Sequence, residues 1–143
     1  MNLKSFLDKY GTNKTTNFDL MDIARDLNLK VKVLMKDELL EYKGNKPIIL
    51  NYQNSNQSGS HWVCLKKDSL NSFYFDSYGI IPLKEVFEYL NDFTYSTFQI
   101  QPDNTEMCGQ LCLLVLKNVK NIKEYEDTVL NLINRFKNSF LAF

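Results

Sequence analysis

The chain has 143 residues, of which 44% are hydrophobic and 24% charged, so it can bury the core of one soluble globular domain over residues 1–143. Its 17 basic residues balance 17 acidic ones, which removes the overall positive field that attracts DNA or an anionic membrane. No apolar run approaches the roughly 20 residues of a membrane span, and the amino terminus lacks the apolar core of a signal peptide. We therefore expect a protein that is not secreted.

Two helices, two strands and a polar loop are predicted in the first half of the chain. Thr16 or Asn17 can cap the second helix, whose apolar side chains recur on one face. The second strand is apolar enough to lie inside a sheet. In chain order these elements are a helix at about 2–10, a helix at about 18–28, a strand at about 29–35, a turn at 37–40, a strand at about 47–50 and a loop at 53–60.

The second half is predicted to contain three strands and three helices. Pro82 opens the first of these helices, in which Leu83, Val86, Phe87 and Leu90 share one face. In order, the elements are strands at about 61–66 and 72–77 joined by a turn at 68–71, a helix from residue 82, a strand at about 95–100, a helix at 108–116 and a helix at about 122–137.

The helix from Cys108 to Leu116 decides the predicted fold class. It is apolar nearly all round, and such a helix is normally enclosed on every side. The pattern predicts an α+β fold, with a mostly antiparallel sheet packed against this buried central helix.

His61 is the only histidine in the chain, and the predicted strand pairing brings Asp76 near it. A four-residue loop at 68–71 sets a register in which position i pairs with position 139 − i, so that His61 faces Tyr78. Asp76 then lies one diagonal step away, on the same side of the sheet. A carboxylate there can fix the tautomer of an imidazole base, although both residues can also be ordinary polar groups at a sheet end.

Cys108 stands where a polar loop meets the buried helix, at an end that we expect to be exposed. Unpaired amides at a helix amino terminus stabilise a thiolate, and the small Gly109 would let a substrate backbone approach the sulfur. Gln101 can donate its amide to a developing oxyanion together with the Cys108 backbone N–H. For a lone cysteine the ordinary alternative is a small core residue, and that alternative suits Cys64 and Cys112.

A zinc site is a competing use of the same atoms. His61 and Cys64, like Cys108 and Cys112, have the spacing of zinc ligands. Positions 61 and 64 point to opposite faces of a strand, however, and 112 is expected to be buried while 108 is not. We therefore favour catalysis, with neither metal nor other cofactor.

The ordered set His61-Trp62, Tyr74 to Gly79, and Gln101 to Gly109 resembles the adenovirus-type maturation cysteine proteases, relatives of the proteases that deconjugate SUMO-like modifiers. Further similarity upstream, at Asn17 to Leu20, Asp37 to Leu39 and Ile48 to Asn51, points to the compact versions carried by Maverick/Polinton elements, virophages and large DNA viruses. The likeness covers about residues 17–119.

This resemblance implies a papain-like fold and a role for each motif residue. His61 would be the general base, Asp76 its orienting partner, Cys108 the nucleophile and Gln101 the oxyanion donor. Trp62 would form a wall of the substrate site beside Gly109.

The resemblance also implies a substrate and a place of action. The enzyme would cleave viral structural precursors after small or Gly-containing sequences, in the virion or at the assembly site in the host cytoplasm or nucleus. Adenovirus enzymes are basic and use DNA and a disulfide-linked peptide as activators. This neutral chain gives no support for DNA as a partner, and it offers no clear counterpart of the peptide-linking cysteine. A ubiquitin-like deconjugase and a catalytically silent module that binds Gly-rich tails are the alternatives.

Overall fold

The structure, a computed structural model, describes residues 2–56 and 60–141, with side chains to residue 137. Residues 57–59 of the predicted polar loop lie outside the described residues. The helices and strands follow closely the order predicted from the sequence: α1 (Leu3–Tyr10), α2 (Asn17–Asp26), β1 (Lys32–Met35), a 3-10 turn (Lys36–Glu38), β2 (Ile48–Asn51), β3 (Trp62–Lys66), β4 (Phe73–Phe75), α3 (Lys84–Leu90), β5 (Thr94–Tyr95), α4 (Cys108–Asn118) and α5 (Ile122–Leu141).

The five strands form one sheet in the order β1-β2-β3-β4-β5. The two central pairings, β2 with β3 and β3 with β4, are antiparallel, while β1 and β5 each pair in parallel at an edge. The predicted α+β class is confirmed, but the sheet is evenly mixed instead of mostly antiparallel. The edge strands run parallel to their neighbours because each is joined to the sheet by a long connection and not by a hairpin.

The predicted register of the central hairpin is confirmed. Cys64 pairs with Phe75, and Leu65 pairs with Tyr74. The turn is tied by Asp68, whose carboxylate accepts the backbone N–H groups of Leu70 and Asn71. This register places the residue before β3 and the residue after β4 at the same edge of the hairpin.

Helix α4 lies at the centre of the larger core, as its sequence predicted. All residues from Cys108 to Leu116 are buried, against α1, α2, α5 and one face of the sheet. The opposite face carries a smaller core, to which α3 contributes Val86, Tyr89 and Leu90. The sheet is therefore covered on both faces, which explains why β2 and β4 are buried along their whole length.

Local signals set some helix ends and missed others. Thr16 caps α2 in a capping box with Asp19, one of the two caps predicted. Helix α3 begins at Lys84 and not at Pro82, and Phe87, predicted to face the core, is 40% exposed. Strand β5 has only two residues, so the predicted strand at 95–100 is wrong beyond Tyr95. Segment 96–99 instead leads to Ile100 and Gln101, whose N–H groups both donate to the Ser77 carbonyl.

Among the described residues, no helix combines the length and the apolar character that crossing a bilayer requires.

Candidate active site

The structure brings His61 and Asp76 into direct contact. His61 immediately precedes β3 and Asp76 immediately follows β4, so the hairpin register alone puts them side by side. The Nε2 atom of His61 lies 2.7 Å from Oδ1 of Asp76, and the side chains are 13% and 0% exposed. The Tyr78 backbone N–H also donates to Oδ1, at 2.8 Å. A buried carboxylate with these partners fixes both the tautomer and the plane of the imidazole.

The Cys108 side chain lies close enough to the His61 ring to act on its pKa. The second ring nitrogen, Nδ1, is buried and has no hydrogen-bond partner of ordinary geometry, so it is the nitrogen that remains available to the thiol. Burial by itself lowers the pKa of His61, whereas hydrogen bonds and charges of Asp76 and Cys108 together raise it to about 9. An imidazole with such a pKa is protonated at neutral pH, so that a cation lies beside Cys108.

Cys108 is the first residue of α4. Met107, at the N-cap position, gives no side-chain hydrogen bond to the first turn, so the helix dipole and its free amides act on the sulfur without a competing cap. The end of the helix is less open than the sequence suggested, because Cys108 is only 7% exposed. The thiol is therefore shielded from bulk water yet lies at the positive end of a helix.

Gln101 is completely buried, and its amide is held by three groups. Its Oε1 accepts a hydrogen bond from the Ser77 hydroxyl at 2.6 Å, while Nε2 donates to the Thr105 carbonyl at 2.8 Å and to the Tyr78 hydroxyl at 3.1 Å. Since the Thr105 carbonyl can only accept, the amide nitrogen must lie on that side. An oxyanion could use this donor only by replacing Tyr78, whose bond is the longer of the two.

Trp62 and Gly109 both contact Thr15, a residue that the sequence did not single out. The indole Nε1 of Trp62 donates to the Thr15 carbonyl at 3.1 Å. A Cβ on Gly109 would lie 2.2 Å from Thr15 Oγ1 and 2.8 Å from Leu20 Cδ2, so no larger residue fits without movement. Close packing alone therefore explains why position 109 is a glycine. The role of Gly109 in substrate approach stays a prediction.

A surface cavity of about 590 Å³ opens on the Trp62 side of the site. Thr15 and Trp62 line it together with Val33 and Met35 of β1, and Lys14 and Glu38 also contribute.

The other two cysteines are core residues. Cys64 and Cys112 are fully buried, and the Cys64 thiol points at the Cys112 carbonyl at 3.7 Å. Burial raises the pKa of Cys112, so that its thiol stays protonated. Within residues 2–56 and 60–141, no group of three or more His, Cys, Asp or Glu side chains is arranged to hold a metal ion.

No known protein family matches the sequence, and no curated protein is similar to it. The fold, however, is similar to that of the ASFV pS273R protease. One crystal structure of that protein superposes with a TM-score of 0.51 over 87% of this chain and 67% of the other, at 14% sequence identity. A second crystal structure of the same protease gives a TM-score of 0.47 at 16% identity, covering 87% of this chain and 66% of that one. The chain therefore shares the fold of the ASFV pS273R protease and spans about two thirds of that protein's length.

Sequence reasoning missed Tyr52, Ser77, Tyr78 and Thr15 as members of the site. Tyr78 carried a signal, because the predicted register placed it opposite His61, and the two rings lie 4.8 Å apart. Ser77 follows Asp76 directly and lies in the segment Tyr74 to Gly79. Tyr52 and Thr15 carried no signal, since they reach the site only through contacts between separate elements.

Proposed function

We propose that this protein is a cysteine endopeptidase. The single observation that carries the proposal is the arrangement around His61. Nε2 of the ring contacts the buried Asp76 carboxylate at 2.7 Å, and the Cys108 side chain, at the start of a buried helix, interacts with the same ring. An imidazole used only for packing has no need of a carboxylate on one side and a cysteine on the other.

The proposed reaction has two steps. The Cys108 thiolate attacks the carbonyl carbon of the scissile bond, and the His61 imidazolium gives its Nδ1 proton to the leaving amine as the C–N bond breaks. Water then loses a proton to Nδ1 and attacks the thioester, which releases the acid and restores the thiolate–imidazolium pair. Asp76 keeps the imidazole oriented throughout, as a carboxylate does in a catalytic triad.

The oxyanion of each tetrahedral intermediate needs donors near Cys108. The backbone N–H of Cys108 is one candidate, and the Gln101 amide is the other. Gln101 would move its Nε2 hydrogen from the Tyr78 hydroxyl to the oxyanion, while its bond to the Thr105 carbonyl keeps the amide in place.

We further propose that the substrates are viral structural precursors, cut after small or Gly-containing sequences at the site of virion assembly. The fold shared with a viral protease and the sequence motif around His61 and Cys108 support this proposal. The buried position of Cys108 favours substrates with little side-chain bulk next to the scissile bond. The peptide would lie along Trp62, towards the cavity beside Thr15.

The test is cleavage of Gly-Gly reporter peptides and of capsid precursors from the same genome by the wild type and by Cys108→Ala. We expect the variant to fold, as judged by circular dichroism, and to lose all cleavage. Cys112→Ala is the matched control, since it removes a buried thiol of the same helix that has no part in the reaction, and it should retain turnover. Cleavage by Cys108→Ala at the wild-type rate would refute the proposal.

A ubiquitin-like protein with a carboxy-terminal electrophile tests the alternative of a deconjugase. Labelling of Cys108 by that probe, with no cleavage of capsid precursors, would replace viral maturation with deconjugation. A module that only binds Gly-rich tails would show neither labelling nor cleavage.

A further inference from the structure

Tyr52 contacts both members of the histidine–carboxylate pair. Its hydroxyl donates to Oδ2 of Asp76 at 2.8 Å, the carboxylate oxygen that His61 does not use. Its ring stands edge-on to the imidazole, with centroids 5.1 Å apart and planes at 82°. Asp76 therefore receives hydrogen bonds on both oxygens: Oδ1 from His61 and from the Tyr78 backbone N–H, and Oδ2 from Tyr52.

The hydrogen bonds around Tyr52 have a defined direction. Because the Tyr52 proton goes to a carboxylate, which only accepts, the oxygen of Tyr52 must accept from the Tyr74 hydroxyl, 3.1 Å away. Tyr74 is completely buried. The two hydroxyls thus form a chain that ends on Asp76, and each donor in it strengthens the next.

The backbone holds Tyr52 at this place. It follows β2 directly, and its N–H donates to the His61 carbonyl at 3.0 Å, which extends the pairing of β2 with β3 by one residue. The same strand pair therefore fixes the base and the phenol that contacts its partner.

We propose that Tyr52 is a positioning residue of the active site, which holds the Asp76 carboxylate in the plane that His61 needs. This inference rests on the proposed protease function. The bonds from His61 and the Tyr78 backbone hold only Oδ1, whereas the Tyr52 hydroxyl also holds Oδ2 and so restricts rotation about the Cβ–Cγ bond. Without the hydroxyl, the imidazole would spend less time directed at Cys108, and the loss would fall on kcat and not on KM.

The experiment compares Tyr52→Phe with wild type, in steady-state cleavage and in a double-mutant cycle with Asp76→Ala. We expect Tyr52→Phe to lower kcat about tenfold, the size of one hydrogen bond to a charged group, with KM unchanged. In the Asp76→Ala background the same change should have no further effect on kcat, because the group on which Tyr52 acts is gone. An unchanged kcat, or an equal loss in both backgrounds, would overturn the inference.

Tyr125→Phe is the matched control for a structural effect. Tyr125 is also buried, and its hydroxyl donates to the Tyr74 carbonyl at 2.6 Å, so the variant loses a comparable bond without touching Asp76. It should lower the melting temperature but keep the wild-type kcat. A Tyr125→Phe variant with the same loss of kcat as Tyr52→Phe would show that any weakened core has this effect, and would also overturn the inference.

A spectroscopic measurement separates this inference from the protease proposal. Because the chain has one histidine, the proton shared by His61 and Asp76 gives a single low-field NMR resonance. Tyr52→Phe should shift it, and Tyr125→Phe should not. The shift can be measured even if the protein cleaves no peptide. Absence of cleavage would refute only the protease proposal, whereas an unshifted resonance in Tyr52→Phe would refute the role of Tyr52.

Discussion

Gly109 offers a direct test of whether packing or substrate access explains the residue after the nucleophile. In Gly109→Ala the new methyl group would meet Thr15 Oγ1 at 2.2 Å and Leu20 Cδ2 at 2.8 Å, both far below van der Waals contact. Overpacking of this kind costs about 1–3 kcal/mol. Alanine also gains about 1 kcal/mol over glycine inside a helix. The expected net loss of stability is about 1 kcal/mol.

The assay is reversible denaturant unfolding, with Thr15→Ala as the second mutation. Thr15 Oγ1 is buried and makes no hydrogen bond, so its removal costs little by itself and opens space for the methyl group. We expect Gly109→Ala to be destabilised alone and to recover part of its stability when combined with Thr15→Ala, which removes the contact at 2.2 Å and leaves the one with Leu20. For a domain of this size, about 1 kcal/mol corresponds to roughly 2–4 °C in Tm.

Substrate access predicts a different result. If Gly109 serves only the approach of a peptide, Gly109→Ala should be at least as stable as wild type, and its KM should rise regardless of the residue at position 15. A stable Gly109→Ala protein, or the absence of rescue by Thr15→Ala, would refute the packing argument.

Two further predictions concern the charged and polar groups around Cys108. The His61 imidazole should titrate by NMR with a pKa near 9, well above its usual 6.5. Because folding raises the pKa of His61, its protonation stabilises the folded state fully below pH 6.5, and this stabilisation is lost as the pH rises through about 9. An NMR titration midpoint of His61 near 6.5 would contradict the prediction. Gln101→Ala should lower kcat by about 10²–10³ while iodoacetamide still alkylates Cys108 at the wild-type rate, and an unchanged kcat would remove Gln101 from the oxyanion site.

Local patterns were enough for the elements whose signals are short-range. The apolar run from Cys108 to Leu116 predicted the buried helix because such a surface must be enclosed on every side. The four-residue turn at 68–71 predicted the register of β3 and β4, and that register brought His61 to Asp76. Both predictions depend only on residues that are close in sequence, so a single chain segment carries all the information that each one needs.

Other features depended on contacts that no local pattern encodes. Strand β5 ends after Tyr95 because the chain then turns towards Ser77. The Ser77 carbonyl accepts hydrogen bonds from the backbone N–H groups of Ile100 and Gln101. Phe87 has the spacing of a core residue, yet it is 40% exposed and contacts the rings of Phe93 and Tyr95 in tilted and edge-on geometry. The parallel edges of the sheet likewise follow from how long connections pack, and not from strand composition.

The sequence by itself determined the chemistry that is available: one imidazole, one thiol at a helix start, and a carboxylate in register with the imidazole. The tertiary structure decided how these groups are supported. Tyr52 reaches Asp76 because β2 lies beside β3, and Thr15 meets Gly109 because α2 packs on α4. Side chains brought together by separate elements depend on the three-dimensional order of those elements, which the spacing of residues along the chain does not specify.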